Sequence, residues 1–255
     1  MEIVRLLKFP VLELITIAAI FFALSSALNF DYPSVTRFSD ELSPSTLWQD
    51  QLNRFMKNLV WRHLAPYLGS YNYVAFIYAA LTAMIAGDLS SGHMALIFSQ
   101  PFKRSEIFMV RAGLTFLVPL VVYLLANSAI ILIVGGLSCF LANPGYTQIC
   151  YSLATTSFLY VFSVCLSLTL IVKETIPSFI SSLMFLYGID YAARIFQEKW
   201  VRILIPNTAL TDFWFALGSP LLEESPPWSS LLTPMAISIA LIAVCYLYFT
   251  RELEV

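Results

Sequence analysis

The sequence predicts an all-α polytopic membrane protein, a single domain over residues 1–255 with six transmembrane helices. It also predicts an external amphipathic helix in the 31–70 loop and short re-entrant external helices before the last span. Three observations carry that expectation. The 255-residue chain is 59% hydrophobic and only 12% charged, about half the charged share of soluble domains. A soluble fold of this length could not hide so much apolar surface, and the mean hydropathy is +0.78. In lipid the backbone has no water to bond, so only helices or closed barrels can span, and apolar runs of about 20 residues select helices over strands of about 10.

The first span is expected over residues 10–30, behind a leader carrying Arg5 and Lys8. The run is long enough to cross a hydrocarbon core of about 30 Å. Its length and the Glu13 inside it argue for a retained span rather than a cleaved signal peptide. Residues 31–70 form a polar loop in which Ser45 can cap a helix. Its apolar positions Trp48, Leu52, Phe55, Met56, Leu59 and Val60 recur at three and four residues, interrupted by Asp50, Arg54, Lys57 and Arg62. Residues 45–62 therefore read as an external amphipathic helix on the membrane surface. Packing against the span ends and a substrate lid or partner-binding element are the other roles open to it.

The second span is expected over 71–87, with Tyr71 and Tyr73 at the membrane interface. The third covers 109–135, with a kink at Pro119 and a buried polar group at Asn127 suited to bonding a neighbouring helix. Residues 137–149 carry no charge and hold Pro144-Gly145, so they read as a turn. Cys139 and Cys150 flank it, either as a disulfide facing an oxidising exterior or as two small apolar residues. The fourth span, 151–172, is rich in Ser and Thr that suit close helix contact, and 173–177 is a tight turn.

The fifth span, 177–196, contains Asp190 and Arg194, which pair across one helical turn or lie near a surface, because a lone charge in mid-bilayer is costly. Apolar pieces at 201–205 and 209–222 are broken by Pro206-Asn207 and Gly218-Ser219-Pro220, as short re-entrant helices would be. The last span, 230–249, ends in Tyr246, Tyr248 and Phe249 followed by Arg251.

Several functions are excluded. A net charge of −2 leaves no basic excess for a nucleic-acid partner. The four cysteines include no Cys-x-x-Cys pair, and His63 and His93 lie far apart, so no metal spacing is present. The chain has no Gly-x-x-x-x-Gly-Lys-Ser/Thr, Gly-x-Ser-x-Gly or His-Glu-x-x-His, which leaves it no nucleotide cradle or common hydrolytic centre of its own. It is therefore expected to bind no cofactor. Asp190-Tyr191-Ala192-Ala193-Arg194 falls one residue and a glycine short of the lipid phosphotransferase motif. A membrane-embedded lipid-modifying enzyme, or an accessory membrane subunit of another complex, is the alternative reading.

The polar loop at 88–106 carries the functional signal. Asp88 stands four residues before Gly92, Pro101 nine after it, Arg104 three after the proline and Arg111 seven further on. That order resembles the cytoplasmic loop between spans two and three of the type-2 ABC exporter permeases. The resemblance implies a coupling helix that docks on a separate ATPase subunit. It implies two ATPase subunits that bind ATP and Mg, with a second permease copy or a homologous permease completing the substrate pathway. In that scheme Asp88 caps the coupling helix from Leu89 onward, Gly92 allows close backbone approach, and Leu96, Ile97 and Phe98 offer an apolar face to the ATPase. Lys103, Arg104 and Glu106 orient the contact, or the two cations anchor the loop to anionic lipid headgroups. Glu13, Asn127, Asp190 and Arg194 are the polar residues a transport pathway could use.

Orientation follows from the short connections, which decide topology where long loops do not. Setting aside the 31–70 loop and the re-entrant region, every basic residue of the short segments falls on one side. Both termini and the 88–106 loop are accordingly expected in the cytoplasm of a multi-pass cell-membrane protein.

Overall fold

A computed structural model describes residues 11–28, 55–57, 59–61, 63–64, 70–99, 102–195, 209–210, 212–213 and 228–251. Its elements are α1 (Val11–Leu28), α2 (Ser70–Ser90), α3 (His93–Phe98), α4 (Arg104–Gly135), α5 (Ser138–Ala142), α6 (Pro144–Val172), α7 (Thr175–Ile195) and α8 (Ser229–Arg251). Four helices among the described residues, α2, α4, α6 and α8, are long and apolar enough to cross a membrane by length and composition. α1 and α7 are apolar over the shorter stretches Val11–Phe21 and Thr175–Ile189. Large apolar side chains face outward, with Leu125 66% and Ile133 82% exposed, which suits lipid rather than water. The protein is an all-α, membrane-embedded bundle.

Ring contacts and hydrogen bonds set the helix directions. α2 runs antiparallel to α4, since Tyr73 stacks on Tyr123 and Tyr78 on Phe116. α4 runs antiparallel to α6, through Phe116–Phe162, Tyr123–Phe158 and a 2.7 Å hydrogen bond between the Ser128 and Tyr151 hydroxyls. α8 runs parallel to α6, with Ser167 beside Cys245 and the Lys173 ammonium over the Tyr248 ring. The ends of α2, α6 and α8 and the starts of α4 and α7 therefore gather at one end of the bundle, where α3 lies.

The helix that holds the expected third span begins at Arg104, five residues before Met109, and its 32 residues make it about 48 Å long. Pro119 sits inside it and takes away the hydrogen bond that the Thr115 carbonyl would accept. The next carbonyl, Phe116, accepts the buried Tyr78 hydroxyl at 2.8 Å, so a neighbouring helix supplies polar contact beside the break. Tyr73 is 1% exposed and packs in the aromatic core against Tyr123. Pro144 and Gly145 likewise open α6, with proline in the first turn, where its missing N–H costs nothing. The stretch before it folds as α5 rather than as a plain turn. Cys139 and Cys150 are buried free thiols, the second of the two roles left open for them.

The amphipathic segment packs into the bundle. Phe55, Met56, Lys57, Leu59, Val60, Trp61, His63 and Leu64 are helical, and Leu59, Val60 and Leu64 are at most 1% exposed. The Tyr123 hydroxyl donates to the His63 carbonyl at 3.3 Å, and the Lys57 ammonium lies over the Tyr146 ring. A stripe at three- and four-residue spacing meets a helical seam as well as it meets a membrane surface, and here it meets the seam between the end of α4 and the start of α6. Residues 45–54 lie outside the described residues. Of the re-entrant region, residues 209–210 and 212–213 are helical, and Phe213 is buried against Trp228.

Candidate functional site

The polar loop folds as helix, break, short helix, break, helix. α2 continues through Asp88 to Ser90 and closes with Ser91 N–H donating to the Gly87 carbonyl at 3.0 Å. Gly92 then takes φ +72°, a left-handed conformation that glycine adopts without strain. α3 starts at His93 with Gly92 as its N-cap, and the Gly92 carbonyl accepts from Ala95 N–H at 3.0 Å. A Cβ placed on Gly92 would meet nothing within 4 Å. Its left-handed turn reverses the chain between α2 and α3, and the space around it is open. Lys103 is extended, and its N–H donates to the Glu106 carboxylate at 3.3 Å. That bond satisfies a donor the new helix would leave open.

Asp88 does not cap the short helix. It still lies within α2, and its carboxylate forms an ion pair with the Arg111 guanidinium on the second turn of α4. Arg111 also donates through Nη1 to the Met94 sulfur of α3 at 3.0 Å. The side chains of Arg111 and Asp88 are 6% and 13% exposed. One guanidinium therefore holds α2, α3 and α4 together, and its pairing offsets the desolvation that a buried charge carries. It also lines a small crevice with Ile85, Phe108, Ala112, Leu166, Leu170 and Phe249, which brings α6 and α8 to the same point.

Met94, Ile97 and Phe98 of α3 pack at least partly against the bundle. Phe98 meets Phe249 edge-to-face at 5.6 Å between centroids, and the Arg104 guanidinium lies 4.7 Å from its centroid. Ile97 is half-buried against the core and Met94 is fully buried. The outward tip is instead Ser90, Ser91, Gly92, His93 and Ala95, all exposed, with Lys103, Arg104 and Phe102 exposed at the start of α4. Phe98 is thus half-buried, with one side against α8. The Leu96 side chain and Pro101 lie outside the described residues.

Of the four candidate pathway residues, Glu13 and Asn127 have described side chains. Glu13 is exposed in the first turn of α1. Asn127 is buried, and its amide donates to the Tyr123 carbonyl of its own helix at 3.0 Å rather than to a neighbour. Asp190 and Arg194 are placed four residues apart near the end of α7, and their side chains lie outside the described residues. Sequence reading missed Met94 and the rings of Phe108 and Phe249, because nothing in a methionine or a phenylalanine distinguishes a loop anchor from ordinary core.

No family model, curated protein or solved structure matches the chain.

Proposed function

We propose that the chain is the membrane-spanning permease subunit of an ATP-binding cassette transporter of the type-2 exporter class. In this reading α1, α2, α4, α6, α7 and α8 are its six spans, and both termini and the tip of α3 face the cytoplasm. Two copies, or this chain and a homologous permease, enclose the substrate pathway. Two separate ATPase subunits, which bind ATP and Mg, drive it.

The observation that carries the reading is the construction of the loop between α2 and α4. Two long apolar helices are joined by a six-residue helix whose tip is exposed and whose root is buried by Arg111, Met94 and Phe98. Such a part is rigidly tied to the spans yet open to a partner. The basic residues Lys103, Arg104, Lys173 and Arg251 gather at the same end, which favours a cytoplasmic side for it. Purification from native membranes in mild detergent should yield a particle of two permeases and two P-loop ATPases, weighed intact by native mass spectrometry. A monomer that reconstitutes transport without any ATPase would end the proposal.

A further inference from the structure

The contacts of α3 divide into two sets that share no side chain. The exposed tip, Ser90 to His93 with Ala95, can touch a partner. Arg111 cannot, because it is 5% exposed and lies beneath Met94. Yet Arg111 joins Met94 of α3 to Asp88 at the end of α2, and its own backbone belongs to α4. Its crevice neighbours Leu166, Leu170 and Phe249 belong to α6 and α8.

We propose that docking and transmission are carried by different residues of this loop, and that Arg111 is the positioning residue through which displacement of α3 reaches the spans. This rests on the permease reading above. The chemistry suits the task. A guanidinium is a planar fork that can hold two acceptors at fixed angles, here a carboxylate on α2 and a thioether on α3. When α3 is pushed, the fork moves Asp88 and α4 with it. A lysine at this position would keep the charge beside Asp88 but hold a single point contact.

The test uses the full permease–ATPase complex with a fluorophore on Ile133→Cys, which is 82% exposed near the far end of α4. ATP-induced change in its emission is compared with the amount of ATPase co-purified at matched permease. Arg111→Gln should retain the ATPase and lose the ATP-driven signal by about tenfold, the upper range for residues that carry coupling between sites. Arg111→Lys should fall between the two, and Ala95→Asp on the tip should lose the ATPase itself. Met94→Leu keeps the volume and deletes only the sulfur acceptor, so it reports on the same link if Arg111→Gln fails to fold. An unchanged signal in Met94→Leu or Arg111→Gln overturns the proposal and leaves the permease reading standing. Failure of the unsubstituted chain to retain any ATPase overturns both.

Discussion

Replacing Gly135 with alanine tests whether residues 59–64 and α5 close over the end of α4. A Cβ at Gly135 would lie 2.1 Å from the Cys139 sulfur and 2.9 Å from Leu59 Cδ2, so both neighbours must move. The sulfur is buried and bonded back to the Gly135 carbonyl at 3.4 Å, which leaves it little room. Overpacking of this kind costs about 1–3 kcal/mol, and the better helix propensity of alanine returns up to about 1. Two contacts under 3.0 Å place the cost in the upper part of that range, about 2–3 kcal/mol, so the net loss is about 1–2 kcal/mol, or a fall of about 2–8 °C in Tm for a chain of this size. In a Cys139→Ala background the nearest obstacle is the tip of Leu59, a flexible side-chain end. The same Gly135→Ala change should then be close to neutral, giving a coupling energy of about 1 kcal/mol or more between the two sites. Thermal midpoints of the four proteins in one detergent supply the cycle. An equal cost in both backgrounds would show that α5 does not fold back on Gly135.

Tyr78→Phe removes the hydroxyl that donates to the Phe116 carbonyl and should destabilise the bundle by about 0.5–1.5 kcal/mol, read as a lower Tm with unchanged helix content. Leu59→Asp, at a position with no exposed surface, should abolish a monodisperse peak in size-exclusion chromatography, whereas Lys57→Ala should not. Equal tolerance would return the segment to the membrane surface. Cys139 and Cys150 should run identically on gels with and without reductant. Burial raises the pKa of the Cys139 thiol, so less thiolate forms at a given pH. Alkylation of the folded protein at mildly alkaline pH should therefore be slower than that of an exposed thiol, and denaturant should abolish the difference.

The all-α, apolar character was legible because hydropathy over about 20 residues reads a property of the solvent, which tertiary packing does not alter, and four of the described helices are long and apolar enough to cross a membrane. The site was legible only as a linear order. Asp88 and Arg111 are 23 residues apart, and their pairing depends on the antiparallel return of α4 beside α2, which spacing along the chain does not encode. Gly92 was recognisable as a glycine with a purpose, but the sign of its φ, which sets the turn between α2 and α3, was not. The contacts of Phe98 and Ile97 with the bundle were not legible, because a short apolar run looks the same from either side. The orientation of α3 was decided by rings on α8, more than a hundred residues away in the chain. The stripe from Phe55 to Leu64 was ambiguous for a similar reason, since lipid and a helical seam both accept apolar residues at helical spacing.

The central claim is that the exposed tip of α3 docks on an ATPase while its root stays inside the bundle. A photo-cross-linking amino acid placed at Ala95, which is exposed, and separately at Met94, which is fully buried, tests it in native membranes. The account predicts that irradiation of the Ala95 variant yields one adduct whose partner contains a P-loop and binds ATP, and that the Met94 variant gives only intramolecular products. Adducts from Ala95 that contain lipid alone, or a partner without a P-loop, would contradict it.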